Sequence, residues 1–291
     1  MASNGELIGF IGLGQMGQPM ATNLAKGGCR ILGFDAAGTQ SRLPPGGTAA
    51  GSVGGVAAGA ETAFLSLPDG AAADMVAHEI GAAPARRLRT VIDTSTIGDQ
   101  AAARVAERLA AVGVQYVDAP VSGGVHGAVA ASLAMMVACP QERFDTLAPM
   151  LKLVAKNVFH VGTRAGQGQA MKMLNNFLSA TAMAATSEAI NFGIDRGLEM
   201  KTMLDVLNVS SGRNSATDDK FPRQVLPGSF AAGFATRLMA KDVRLFREGV
   251  RAANAPREVG ELVADIWTRC EQAMPGSDFT EIFKFVRESK G

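Results

Sequence analysis

Charge of one sign is scarce here: 28 lysines and arginines stand against 27 aspartates and glutamates, a net charge of +1. A field that small recruits neither nucleic acid nor an acidic membrane surface. Cysteine is scarce as well. Cys29, Cys139 and Cys270 are odd in number, far apart, and without a CxxC pair or a histidine at ligand spacing. That argues against a disulfide framework or a zinc site and suits a reducing compartment, so no metal is expected. The three histidines, His78, His126 and His160, are scattered and read as surface or satisfied side chains. No apolar run reaches ~18 residues without a polar break, so no membrane span is expected. Only about five residues precede the first strand, too few for a signal or transit peptide. The expected location is cytoplasmic.

What remains is an ordinary globular composition, 47% hydrophobic and 19% charged. At 291 residues the chain is long for one core, so two domains are expected.

Leu7, Ile8, Gly9, Phe10 and Ile11 make a short apolar run that reads as a buried parallel strand. It passes straight into Gly12-Leu13-Gly14-Gln15-Met16-Gly17, a helical pattern follows from Pro19, and a second strand, Arg30 to Phe34, closes on Asp35. A GxGxxG on its own is weak evidence. After a strand, before a helix, and with an acid about 20 residues on, it marks a dinucleotide site. Gly12 permits the tight turn, Gly14 lets backbone N–H groups approach a pyrophosphate, and Gly17 lets helix and strand pack closely. Asp35 can bond a ribose 2′-hydroxyl and would repel a 2′-phosphate. NAD is therefore the expected cofactor, with NADP kept possible by Arg42.

Strand signals at 63–67, 90–93, 115–118, 134–138 and 157–161 alternate with helical segments near 72–80, 99–111 and 144–154. Residues 39–59 read as a loop with at most a short helix. The alternation predicts an α/β fold, a Rossmann-type doubly wound and mostly parallel sheet over residues 1–164, with its ligand at the carboxyl ends of the strands. Those ends carry Leu67, Pro68 and Thr96, which join Gly12, Leu13, Gly14, Gln15, Met16, Gly17 and Asp35 as the cofactor set. The strand from Gln115 runs into Asp118-Ala119-Pro120-Val121-Ser122-Gly123-Gly124. Ser122 with the N–H groups of Gly123 and Gly124 could form an anion nest suited to a carboxylate, or a plain turn.

From residue 166 to about 195 there is no proline, and the run is apolar nearly all round, the pattern of a buried helix. Lys172, Asn175 and Asn176 stand at i, i+3 and i+4, on one face of its first turns. An ammonium among apolar neighbours must be paired or line a cavity; the alternative is a solvated N-terminal turn. Only helical patterns follow, at 200–207, from 236, at 258–273 (with Trp267 as a core residue) and at 279–287, while Phe221-Pro222 and Pro227-Gly228 bracket a loop. Residues 165–291 are thus expected to form an all-α C-terminal domain for substrate binding and dimerisation. Its first helix is too apolar for a small helical cap to cover, so a second subunit is expected against it, in a homodimer or homotetramer.

Four ordered blocks resemble the β-hydroxyacid dehydrogenases: the run from Gly9 to Gly17 with Pro19, Met20, Ala21, Asn23 and Leu24; Asp118 to Gly124; Gly166-Gln167-Gly168 with Lys172, Asn175 and Asn176; and Leu238-Met239-Ala240-Lys241-Asp242. Together they span about residues 6 to 250. The Ser210-Ser211-Gly212-Arg213 stretch and the Gly233-Phe234 lead-in look most like the 3-hydroxyisobutyrate branch. The resemblance implies an NAD(P)-dependent enzyme acting on a small β-hydroxy acid or its semialdehyde. It implies that Lys172 is the general acid/base, that Ser122, Gly123, Gly124, Asn175 and Asn176 bind a small carboxylate substrate, and that Lys241 lies near both substrate and cofactor. The chain departs from the family at His126, at Ala131 (a position where glycine is frequent), and in the Gly- and Pro-rich region after Asp35. Rival readings are an imine reductase, a phosphogluconate-type dehydrogenase, or a dinucleotide-binding regulator without turnover. Imine reductases generally lack a lysine at the position of Lys172, and the phosphogluconate type has a longer helical domain. Lys172, Asn176 and Ser122 together count against the regulator.

Overall fold

The computed structural model describes residues 5–289, and the chain divides into two compact units, Met1–Lys172 and Met173–Gly291. In the first unit β1 (Leu7–Ile11) leads through the glycine turn into α1 (Gly17–Lys26) and β2 (Arg30–Phe34). The alternation continues through β3 (Thr48–Ala49), α2 (Val53–Gly59), β4 (Thr62–Leu65), α3 (Gly70–Ala82), β5 (Thr90–Asp93), α4 (Asp99–Ala110) and β6 (Gln115–Asp118). It ends with β7 (Val121–Ser122), α5 (Gly124–Val129), β8 (Leu133–Ala138), α6 (Gln141–Leu151) and β9 (Ala155–Gly162). All nine strands share one sheet, in the order β3-β2-β1-β4-β5-β6-β8-β7, with β9 also paired to β8.

Pairing is parallel from β3 across to β6, and β8 runs against both β6 and β7. The chain winds outward from β1 in both directions, to β2 on one side and β4 on the other, which opens a crevice beyond the end of β1. Alternate residues of each strand feed opposite faces. Phe10, Phe64, Ile92 and Val117 pack with Met20 and Leu24 of α1 and Leu147 and Leu151 of α6. Ile11, Ala63, Leu65 and Val91 enter the other core with residues of α2, α3 and α4. Both faces are covered, which is why these strands read as continuous apolar runs.

Two segments of this unit differ from their sequence reading. Residues 39–59 hold, besides the short helix α2, the strand β3, and Ser52 caps α2 by accepting the Gly55 N–H at 3.0 Å. The strand that ends at Asp118 resumes after Ala119-Pro120. Asp118 pairs with Ala138, Val121 with Met135 and Ser122 with Ala134, all in one antiparallel register. Proline has no N–H to donate, and the break falls on it.

The second unit is helical. α7 (Gln167–Asp195) opens in the first unit and runs on into this one; α8 (Met200–Asn208), a π-helical turn at Ala216–Val225, α9 (Thr236–Ala252), α10 (Glu258–Ala273), a 3-10 turn at Phe279–Glu281 and α11 (Ile282–Glu288) follow. Among its described residues there is no strand, and a single bridge joins Ala235 to Asp278. Trp267 is fully buried, with its indole N–H on the Ala180 carbonyl at 3.2 Å. The Phe221-Pro222 segment, read as a loop, lies inside the π-helical turn with Phe221 fully buried. α7 is not covered all round. Met171, Leu174, Leu178 and Phe192 are 38%, 44%, 58% and 63% exposed, and with exposed Ala185 and Ala189 they form one stripe at helical spacing.

Candidate active site

The glycine turn is built as its sequence predicts. Gly12 has φ +89°, and a Cβ there would lie 2.3 Å from the Ser66 carbonyl oxygen. A Cβ on Gly17 would lie 1.9 Å from the Gly12 oxygen, whereas one on Gly14 would meet nothing within 4 Å. The turn is closed on its inner side and open at Gly14, where a pyrophosphate fits against backbone N–H groups and the start of α1. Asp35, at the end of β2, accepts the Leu13 N–H at 2.7 Å on Oδ2 and the Ala37 N–H at 2.8 Å on Oδ1. Arg42 stands 3.9 Å from the same Oδ2. The residues present thus fit a dinucleotide.

Register places the other candidate residues at the same edge. Ile11 pairs with Leu65, Leu65 with Asp93, and Asp93 with Asp118, so β1, β4, β5 and β6 end in line. Just beyond these ends the Leu67 N–H is bound by Ser95 Oγ at 2.8 Å, Pro68 is exposed and Thr96 half-buried. Ser122 closes β7. Gly123 and Gly124 follow with φ +131° and +63°, and a Cβ on Gly124 would meet nothing within 4 Å.

A buried network behind this edge was not foreseen. Asp118 and Gln169 are both 0% exposed. Asp118 Oδ2 accepts the Gly166 N–H at 2.9 Å and the Gln169 N–H at 3.1 Å, and its Oδ1 accepts from the Gln169 side-chain amide at 2.9 Å. The same amide nitrogen donates to the Ser95 carbonyl at 3.0 Å, while Gln169 Oε1 accepts the N–H groups of Ile97 and Gly98 at 2.9 and 3.2 Å. Burial pushes the Asp118 carboxyl up to about 6; the Gln169 and Gly166 donors pull it back, and the charge of Asp93 adds to the rise. Asp93 is raised by burial too, and Tyr116, whose hydroxyl donates to Asp93 at 2.9 Å, lies well above its ordinary value for the same reason. One signal for this network was present in the sequence. α7 begins with Gly166 and Gln167 and offers no Ser, Thr, Asp or Asn as its own cap, so its first N–H groups need an acceptor from elsewhere.

Lys172, one turn further along α7, is 7% exposed, which removes the solvated-turn alternative. In the second unit Asn175 donates to Asn176 Oδ1 at 3.0 Å, and Asn176 (6% exposed) donates to Asp242 Oδ2 at 2.6 Å. Lys241 Nζ lies 3.2 Å from Asp242 Oδ1. The three cysteines are buried and free, and no group of His, Cys, Asp and Glu able to hold a metal occurs among the described residues.

Residues 7–162 match the family described as the NAD binding domain of 6-phosphogluconate dehydrogenase, and residues 166–286 the family described as NAD-binding of NADP-dependent 3-hydroxyisobutyrate dehydrogenase. The chain is 36% identical to a 3-hydroxyisobutyrate dehydrogenase of Pseudomonas aeruginosa, over 96% of this chain and 98% of that one. It is 35% identical to a 2-(hydroxymethyl)glutarate dehydrogenase of Eubacterium barkeri, over 89% and 87%. The solved structure of Mycobacterium tuberculosis 3-hydroxyisobutyrate dehydrogenase with L-serine superposes with a TM-score of 0.90 at 32% identity, covering 97% of this chain and 99% of that one.

Proposed function

The chain belongs to the β-hydroxyacid dehydrogenase family, and from that premise we propose that it oxidises a small β-hydroxy acid of the 3-hydroxyisobutyrate type, or reduces the matching semialdehyde. NAD(P), when bound, supplies the hydride acceptor or donor. Gly12, Leu13, Gly14, Gln15, Met16 and Gly17 bind its pyrophosphate, Asp35 its ribose, and Leu67, Pro68 and Thr96 line its path along the strand ends. Asp35 accepts an N–H on each carboxylate oxygen, which holds the acid at the mouth of the turn, where it would repel a 2′-phosphate, and supports NAD over NADP.

Lys172 takes the proton from the substrate hydroxyl during oxidation and returns it during reduction. Ser122, Gly123 and Gly124 hold the substrate carboxylate, and Asn175, Asn176 and Lys241 orient the substrate. The observation that carries this reading is the burial of Lys172 on the first turns of a helix whose start is bonded to the end of β6, at the sheet edge where β1 passes into the glycine turn. Replacing Lys172 by alanine is expected to lower kcat by ~10²-fold or more, with NADH binding, followed by fluorescence, nearly intact. Equal loss of both would assign the lysine a structural role.

The apolar stripe on α7 supports a homodimer or homotetramer, since an exposed face of this length is normally covered. No helix among the described residues is long and apolar enough to cross a membrane, and near-neutral charge with free buried thiols supports a cytoplasmic setting.

A further inference from the structure

The side-chain amide of Gln169 has two acceptor and two donor positions, and all four are used. No part of it reaches solvent. Its partners lie on two separate strand ends: Ser95, Ile97 and Gly98 after β5, and Asp118 at the end of β6. Ser95 in turn holds the Leu67 N–H after β4. One side chain at the start of α7 therefore ties together the two loops proposed to line the cofactor, after β4 and β5, and the strand end that leads to the loop proposed to hold the substrate carboxylate. Asp118 completes the clasp from below, accepting two main-chain N–H groups of the helix start. Close approach is built in at Gly168, where a Cβ would lie 2.7 Å from the Met136 carbonyl oxygen and 2.9 Å from Asp118 Cγ.

We infer that Gln169, clasped between Asp118 and the loop of Ser95, Ile97 and Gly98, is a positioning residue that sets the height and rotation of Lys172 at the carboxyl edge of the sheet. Lys172 stands three residues on, one helical turn away, so any roll or slide of the helix start carries its amine along. Proton transfer tolerates little of this, since a displacement of ~1 Å can cost on the order of 10²-fold in rate. The inference rests on the assignment of Lys172 as the proton-transferring group.

The test is an exchange of the two partners. Gln169→Glu keeps the oxygen facing Ile97 and Gly98 but sets a carboxylate oxygen against both Asp118 and the Ser95 carbonyl. Kcat per NADH-binding site is expected to fall by about 30-fold or more, with the number of NADH sites per chain held. Adding Asp118→Asn restores a donor–acceptor pair across the clasp, and about tenfold of the loss is expected to return, a coupling between touching residues. A purely structural role would instead lower the number of NADH sites and leave kcat per site unchanged. That result, or a double exchange no better than Gln169→Glu alone, overturns the inference.

A second readout needs no substrate. The rate at which trinitrobenzenesulfonate labels Lys172, followed by peptide mass spectrometry, is expected to change at least about fivefold in Gln169→Glu relative to exposed Lys201, and to return in the double exchange. If the wild-type chain turns over no β-hydroxy acid or semialdehyde, the proposed function fails, and the labelling still decides whether the clasp sets the lysine: an unchanged rate removes it.

Discussion

Asp118 is fully buried, yet with its carboxyl at about 6 it is ionised at neutral pH. Its folded-state value lies above the ordinary 3.8, so the folded form binds the proton more tightly than the unfolded form. Its contribution to stability is therefore complete below 3.8 and is lost as pH rises through about 6. At ~1.4 kcal/mol per unit this amounts to about 3 kcal/mol. Asn at this position does not titrate, so the stability of the wild type minus that of Asp118→Asn, from denaturant melts, is expected to shrink by about that much between pH 4 and pH 7; a constant difference contradicts it. Asp35 gives a second expectation. Removing its charge in Asp35→Ser should shift the kcat/KM ratio toward NADP by about tenfold or more, since a like charge beside a phosphate costs several kcal/mol and Arg42 is already close; an unmoved ratio would place cofactor choice elsewhere. At this scale the sequence was most legible where a role is local. The Gly12 turn and the acid at the end of β2 follow from spacing alone. Gln169 and Asp118 did not, because the bonds that define them span 51 residues and neither residue type announces a partner.

Elements were legible wherever both sheet faces are covered, because continuous apolar runs between glycines leave one reading. They were obscured where proline sits inside regular structure. Pro120 splits a ladder that keeps its register, and Pro222 lies within a π-helical turn whose residues Phe221 and Val225 are buried. Tertiary packing overrides the local signal in both places. Ala131 shows the opposite case, a sequence departure that leaves the element unchanged. α5 ends with the Ser132 N–H on the Gly127 carbonyl at 2.9 Å and the Ala131 N–H on Ala128 at 3.4 Å, which places Ala131 in the left-handed region with φ 52°. Alanine is strained there and glycine is not. Ala131→Gly is accordingly expected to raise stability by ~0.5–1 kcal/mol after the entropy of the unfolded glycine is counted. A lower midpoint in thermal melts would show that the strain is relieved in some other way.

For the molecule as a whole, the change of period near residue 165 reads as the boundary, whereas the two compact units divide after Lys172 because the first turns of α7 are bonded to the sheet. The reading of α7 as buried all round could not distinguish burial within the chain from burial against a copy, because periodicity records only that a face is apolar. The stripe from Met171 to Phe192 leads to a definite expectation: light scattering at micromolar concentration gives at least twice the 30.1 kDa chain mass, and Leu178→Asp with Phe192→Asp lowers it. A monomeric wild type would refute the proposed assembly. Substrate choice belongs to the same scale, and a panel of short β-hydroxy acids and semialdehydes with each cofactor decides it.

Dissecting the protein into pieces meets a constraint at one place. A fragment stopped at residue 164, where the sheet is already complete, would strip Asp118 of Gly166 and Gln169, the residues whose three N–H bonds satisfy its carboxylate. Eight further residues keep them. A severed nucleotide-binding half is thus soundest when it retains the first turns of α7, and the lysine proposed to handle the proton goes with it.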